Sequence, residues 1–325
     1  APCPSPSCAT KVAIMSISDA ISNPASVSEV ALIAGPTAGG KSAVALHLAE
    51  RTGGIIINAD ASQVYADLAI ITARPSAEEM ARAPHRLFGH VDGAEDYSAA
   101  RWAAEARVQI DAAQAQGRPA ILVGGTGLYL DTLLHGIAPV PEIDPAIRET
   151  VRAMPVSESY AHLAAEDPDA AARLRPSDTT RVARALEVVR STGTPLHVWQ
   201  TRRAGGILGR MPIRAGVVLR PRAELAERAS ARLDLMLAGG ALEEVAALLD
   251  QGLPPDRPVL RALGVREIAA VLAGEIDVAQ AQERILKLTV AYQKRQLTWA
   301  RGRQSGWTIL DPDTPPELDR LALLD

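Results

Sequence analysis

Val30-Ala31-Leu32-Ile33-Ala34 running into Gly35-Pro36-Thr37-Ala38-Gly39-Gly40-Lys41-Ser42 is the stretch that decides the fold. The first five residues are an apolar run of strand length, and the next eight match the pattern G-x-x-x-x-G-K-[ST]. Ser42–Glu50 then continues with helical patterning. A glycine-rich loop between strand and helix holds a chain of phosphates. Its backbone N–H groups point inward, Lys41 reaches the outer phosphates, and the Ser42 hydroxyl is placed to ligate a Mg²⁺. The helix N-terminus that follows favours an anion. Only four lysines stand among 34 basic residues, and Lys41 falls where the pattern requires one. The reading is a phosphorylated ligand on residues 35–42, with an unliganded βα turn as the alternative.

Working outward, Gly54–Asn58 reads as a second buried strand, followed by Asp60. A helix over Ala99–Gln116 carries Trp102, Ala106, Ile110 and Ala113 at helical spacing and stops at Gly117-Arg118-Pro119. The third strand, Pro119–Val123, enters Gly124-Gly125-Thr126-Gly127. Strands alternating with helices predict a doubly wound parallel α/β sheet. Ligands of such sheets lie at the carboxyl ends of the strands, which gathers the phosphate loop, Asp60 and the 124–127 turn around one crevice. Residues 139–199 open with Pro139-Val140-Pro141 and become Ala/Arg/Glu-rich, predicting a small all-helical insertion. Gly216–Leu219 reads as a returning strand. A helical C-terminal part follows, with helices at 224–238, 241–252, 265–272 and 279–301. The P-loop core is thus predicted over 29–138 and 200–325, after a disordered Pro/Ser-rich leader at 1–28.

With 325 residues, 47% hydrophobic and 22% charged, the chain has the composition of a globular protein. No apolar run approaches the roughly 20 residues that span a bilayer. Cys3 and Cys8 both lie in the leader, which leaves no cysteine in the body for a catalytic thiol, a zinc site or a disulfide. A reducing cytoplasm is expected. The net charge of −4 hides an asymmetry, because Ala171–Arg232 holds thirteen arginines against four acids, Asp178, Glu187, Glu224 and Glu227. Such a basic field suits an RNA, and equally a solvated helical surface.

Most phosphate loops serve nucleotide hydrolysis and pair with an acid after a central strand. Here that strand ends in Gly124-Gly125, and Asp60 is the acid best placed, as general base, metal ligand or simple turn residue. Three classes stay open on these residues alone: an NTP-hydrolysing protein, a small-molecule kinase using ATP, and a non-catalytic nucleotide- and RNA-binding protein.

The segments GPTAGGKS (35–42), INADASQVY (57–65), TARPS (72–76), PHRLFGHVDGAEDYSAARW (84–102) and ILVGGTGLYLDTLLHG (121–136) occur in order. RVARALEV (181–188), RASARLDLMLAGGALEEV (228–245) and YQKRQLTWAR (292–301) follow them. Together they resemble the tRNA dimethylallyltransferases, also called isopentenyl-transferases, over nearly all of residues 30–305. The resemblance implies transfer of a dimethylallyl group from dimethylallyl diphosphate to N6 of adenosine 37, beside the anticodon of tRNAs that read codons starting with U. It implies Mg²⁺ as the metal and a tRNA anticodon stem-loop as partner. Nothing in the sequence suggests more than a monomer.

By the same resemblance Asp60 is the base, Thr37 lies near the bridging oxygen, and Arg228 holds the diphosphate. Asp60, Ala61, Ser62 and Gln63 would contact the flipped adenine. Thr126, Arg148, Thr180, Arg181 and Arg184 would touch the tRNA, and the helical insertion would clamp its stem. The 292–296 stretch could add backbone contacts or be a solvated helix face. The family's Asp-Ser-x-Gln reads Asp60-Ala61-Ser62-Gln63 here. Gly39, Arg86, Thr180 and Val265 also depart from the usual residues.

Overall fold

In the computed structural model, residues 29–303, 306–314 and 321–324 are described. The leader at 1–28 lies outside them. β1 (Val30–Ala34) is buried along its whole length and sits at the centre of the sheet. It pairs in parallel with β4 (Ala120–Gly124) on one side and β5 (Ile213–Val218) on the other. With β2 (Ile55–Asn58), β3 (His85–Arg86) and β6 (Thr308–Leu310) the order is β3-β2-β4-β1-β5-β6. These six strands are parallel. β7 (Ala322–Leu324) pairs antiparallel with the first half of β5, while β6 takes its second half.

The chain leaves β1, skips one place to lay down β2, and later inserts β4 into the gap before crossing to β5. That reversal opens a crevice at the carboxyl ends of β1 and β4. α1 (Lys41–Thr52) buries Val44, Ala45, Leu46, Leu48 and Ala49 and ends at Gly53 in the left-handed conformation. α2 (Ala77–Arg82) opens on a capping box between Ser76 and Glu79. α3 (Ala99–Ala115) buries Trp102, Ala106, Ile110 and Ala113 as its spacing predicts, behind a Ser98 cap. β5 begins at Ile213, three residues before the predicted strand. A charged residue conceals that start, since Arg214 is buried inside the strand and paired with Glu29 at 3.0 Å.

Two compact units divide the chain. One comprises residues up to Leu130 and from Leu208 onward, and the other Asp131–Ile207. The second reaches eight residues beyond each end of 139–199. Ile137 bridges Ala204, the Ile207 N–H donates to Leu133, and Arg203 pairs with Asp131 at 2.6 Å. α4 (Gly127–His135) runs into this unit, followed by α5 (Pro145–Ala153), α6 (Val156–Glu166), α7 (Pro168–Arg173), α8 (Thr179–Thr192) and α9 (Leu196–Gln200). Val151, Leu163, Ala171, Val182 and Leu186 form its core.

The first unit continues with α10 (Arg222–Ala238), α11 (Ala241–Leu249), α12 (Val265–Leu272) and α13 (Val278–Arg303). At 26 residues α13 is a long helix.

Candidate active site

The phosphate loop is shaped by backbone that only small residues tolerate. Gly35 has φ 149°, and a Cβ there would lie 2.4 Å from the Val218 carbonyl oxygen. Ala38 (φ 62°) and Gly40 (φ 97°) are left-handed, a geometry that turns successive N–H groups toward an anion. For Ala38 this conformation costs on the order of 1 kcal/mol.

Four consecutive carbonyls of the loop are held by side chains. Lys41 Nζ donates to Pro36 (2.8 Å), Gln293 Nε2 to Thr37 (3.2 Å), Arg228 Nε to Ala38 (3.0 Å) and Arg220 Nε to Gly39 (3.2 Å). The first-turn N–H groups of α1 have no acceptor within the helix, so they are available to a ligand.

α13 grips the loop at Thr37. Gln296 Oε1 accepts from the Thr37 N–H (2.8 Å), while its Nε2 donates to Gly125 (3.0 Å). Gln293 ties Thr37 to Leu225 (3.0 Å). Both glutamines are buried. The stretch read as an RNA contact or a solvated face is therefore, at these two positions, a clamp on the loop. The same helix explains the glycines after β4. A Cβ at Gly125 would meet Gln296 Nε2 at 2.1 Å, and one at Gly127 the Trp299 ring at 2.5 Å. Gly124 lines the crevice, but Gly125 and Gly127 are small to admit α13.

Asp60 follows β2 by two residues, and Asn58 fixes its backbone. Asn58 Oδ1 accepts from the Asp60 N–H (2.8 Å) and Nδ2 donates to the Asp60 carbonyl (2.9 Å). Trp102 Nε1 in turn donates to the Asn58 carbonyl (2.8 Å). Ser62 donates to Asp60 Oδ1 from both its hydroxyl (2.7 Å) and its N–H (3.0 Å). The Ala61 N–H donates to Thr126 Oγ1 (2.9 Å). Gln63 Nε2 is taken up by the carbonyls of Thr72 (2.9 Å) and Ala73 (2.7 Å), so Oε1 is the polar atom of that side chain left for a ligand.

These groups meet in one crevice of about 380 Å³. Thr37, Ala38, Gly40, Lys41, Ser42, Asp60, Ser62, Gln63, Arg228 and Arg232 line its polar side. Ile71, Leu233, Met236, Leu263 and Ile285 line its apolar side. Burial pulls the Lys41 ammonium down to about 8, against the opposing pull of Asp60. Arg232 is lowered by burial as well, and Asp60 again opposes the shift. Burial likewise raises the Tyr292 phenol, which the Asp60 charge pushes further.

Arg232 is the residue that sequence reasoning missed. Its Nη2 donates to Thr37 Oγ1 at 2.7 Å, whereas Arg228 is exposed one turn earlier. The Arg228-x-x-x-Arg232 spacing was the available signal, since residues four apart share a helix face.

The predicted tRNA contacts Arg148, Thr180, Arg181 and Arg184 all lie in the helical unit. Arg148, Thr180 and Arg181 are exposed, with Arg181 3.6 Å from Asp178. Arg184 stands 3.7 Å from the buried Glu187, which Arg152 also binds at 2.9 Å. Arg190 pairs with Glu166 (2.7 Å) and Arg220 with Asp313 (2.6 Å). The arginine excess of 171–232 is thus partly neutralised by acids from elsewhere.

Comparison with known proteins bears on this geometry. The family model described as IPP transferase matches residues 63–303. A tRNA dimethylallyltransferase from Sphingopyxis alaskensis is 60% identical over 273 residues, 84% of this chain and 89% of its own. One from Zymomonas mobilis is 52% identical over 296 residues, covering 90% and 95%. Among solved structures, the tRNA isopentenylpyrophosphate transferase of Bacillus halodurans aligns with a TM-score of 0.62 at 31% identity, over 88% of this chain and 90% of that one. A eukaryotic dimethylallyltransferase acting on tRNA gives 0.72 at 28% identity, over 84% and 69%. Such matches set aside the kinase and the non-catalytic binder. The chain belongs to the IPP transferase family, the tRNA dimethylallyltransferases.

Proposed function

We propose that this chain transfers the dimethylallyl group of dimethylallyl diphosphate to N6 of adenosine 37 in the anticodon stem-loop of tRNAs reading codons that begin with U. What supports this most is the make-up of the crevice. A cationic phosphate loop, a carboxylate and an apolar wall stand together, and an allylic diphosphate with an amine acceptor needs all three.

Phosphates rest on residues 35–42 with Lys41 and Arg232, and the five-carbon group lies against Leu233, Met236 and Ile285. Adenosine 37 leaves its stack to enter. N6 bonds to C1 as the C1–O bond breaks, and that electron pair leaves with the diphosphate. Asp60 takes the N6 proton. Loop N–H groups, Lys41 and Arg232 receive the charge that develops on the leaving group. Because the Thr37 oxygen accepts from Arg232, its O–H is left to donate to the bridging oxygen.

The residues present fit a Mg²⁺. Among the described residues no three His, Cys, Asp or Glu side chains cluster as a metal cage. Mg²⁺ needs none when phosphates and water fill most of its shell. The Ser42 hydroxyl would hold it, and the ion would neutralise the departing diphosphate.

Arg148, Thr180, Arg181 and Arg184 are assigned to the tRNA backbone. No helix among the described residues is long and apolar enough to cross a membrane. A monomer working in the cytoplasm, where its tRNA is, completes the proposal. The test is transfer of label from radioactive dimethylallyl diphosphate, with Mg²⁺, to an unmodified anticodon stem-loop carrying adenosines at 36–38. Label that persists when adenosine 37 is replaced would refute the assignment.

Lys41 makes the binding step pH-dependent. Its folded value of about 8 lies below the ordinary 10.5, so the charged form is lost progressively as pH rises through 8. A bound diphosphate stabilises the charged form and restores the proton. Binding at pH 8.5 is therefore expected to take up a large fraction of a proton. Calorimetry in two buffers of different ionisation heat reads this uptake, and Lys41→Met should abolish it.

A further inference from the structure

Asp60 Oδ1 accepts two hydrogen bonds from one residue, the Ser62 hydroxyl at 2.7 Å and the Ser62 N–H at 3.0 Å. Oδ2 accepts none from the described residues. Ser62 and Asp60 both line the crevice. A carboxylate rotates in a broad, roughly two-fold well about its last torsion, so an untethered Asp60 would present either oxygen, or neither, to an incoming amine.

We propose that Ser62 is a positioning residue for the transfer, fixing Asp60 Oδ1 so that Oδ2 is the atom that takes the N6 proton. The departure at 60–63 then has a use. Position 61 holds an alanine, whose N–H is engaged by Thr126 Oγ1, and the hydroxyl one residue later reaches the carboxylate. The bond also serves the proton balance. Ser62 donates and keeps its own proton, Oδ2 gains the one from N6, and the product leaves as the neutral secondary amine.

Other charges act on Asp60 from the elements around it, namely Lys41 on α1 and Arg232 on α10. The phenols of Tyr129 on α4 and Tyr292 on α13 also feel its charge. A change at Ser62 leaves all four in place.

The inference rests on Asp60 being the base, so the experiment includes Asp60→Asn. Single-turnover rates are measured at saturating tRNA and dimethylallyl diphosphate from acid to neutral pH. Ser62→Ala removes a donor to the ionised carboxylate, which makes protonation easier. The acid limb of the rate profile should move up by about half to one pH unit, with the plateau lowered roughly three- to tenfold. Affinity for dimethylallyl diphosphate should be unchanged, and Ser62→Thr, which keeps the hydroxyl, should restore both limb and plateau. Thermal unfolding of each variant shows that the comparison is between folded proteins.

An unmoved limb in Ser62→Ala, while Asp60→Asn is inactive, overturns the role of Ser62 and leaves Asp60 as the base. A rise in KM for tRNA with limb and plateau intact overturns it too, making the hydroxyl an RNA contact. Full turnover in Asp60→Asn would instead overturn the assignment of the base itself.

Discussion

Asp60→Asn is expected to lower the single-turnover rate by about 10²–10⁴-fold, the range a positioned general base contributes. Asparagine keeps the shape of the side chain, and the backbone bonds through Asn58 do not depend on the carboxylate. The fold should therefore survive. Dimethylallyl diphosphate should bind as well as before or more tightly, because the substitution deletes a negative charge that competes for Lys41 and Arg232. Equilibrium binding of the diphosphate beside the rate measurement checks both halves. Weaker binding would make Asp60 a ligand of the substrate or its metal and would end its role as base.

Arg232→Leu ranks second, with an expected loss of about 10²–10³-fold in kcat/KM, the usual scale for one preorganised donor to a leaving-group charge. Its guanidinium is withdrawn from water and touches Thr37, so it acts where screening is weak. Arg228→Leu should cost far less, roughly tenfold or under, because that side chain is exposed and solvent screens its charge. The sequence reading gave the diphosphate to Arg228. Steady-state kinetics on the two variants ranks them, and a larger loss at Arg228 would restore the original assignment.

The contrast between these two arginines shows where the sequence is readable. Residues 30–42 announced a strand, an anion loop and a helix because each is encoded by neighbours. Trp102, Ala106, Ile110 and Ala113 announced a helix face for the same reason. Arg214 hid the start of β5, since its charge is satisfied by Glu29, 185 residues away. β3, β6 and β7 are two or three residues long and lack room for a pattern. Gln293 and Gln296 looked like a polar helix surface because their partners lie on the phosphate loop, far off in sequence. Gly125 and Gly127 were legible as glycines that something approaches closely. Whether that something was ligand or protein depended on α13, which local sequence does not disclose.

The grip of Gln293 and Gln296 on Thr37 has a bearing on synthesis at the ribosome. The sequence separations are 256 and 259 residues. When residues 35–42 emerge, the strand and helix beside them can form, but the glutamines that brace Thr37 do not yet exist. A nascent chain therefore carries an unfinished anion site through most of its translation, and only the arrival of α13 completes it. Premature termination between Arg232 and Gln293 would yield a protein with the whole phosphate signature but without the two glutamines that brace Thr37.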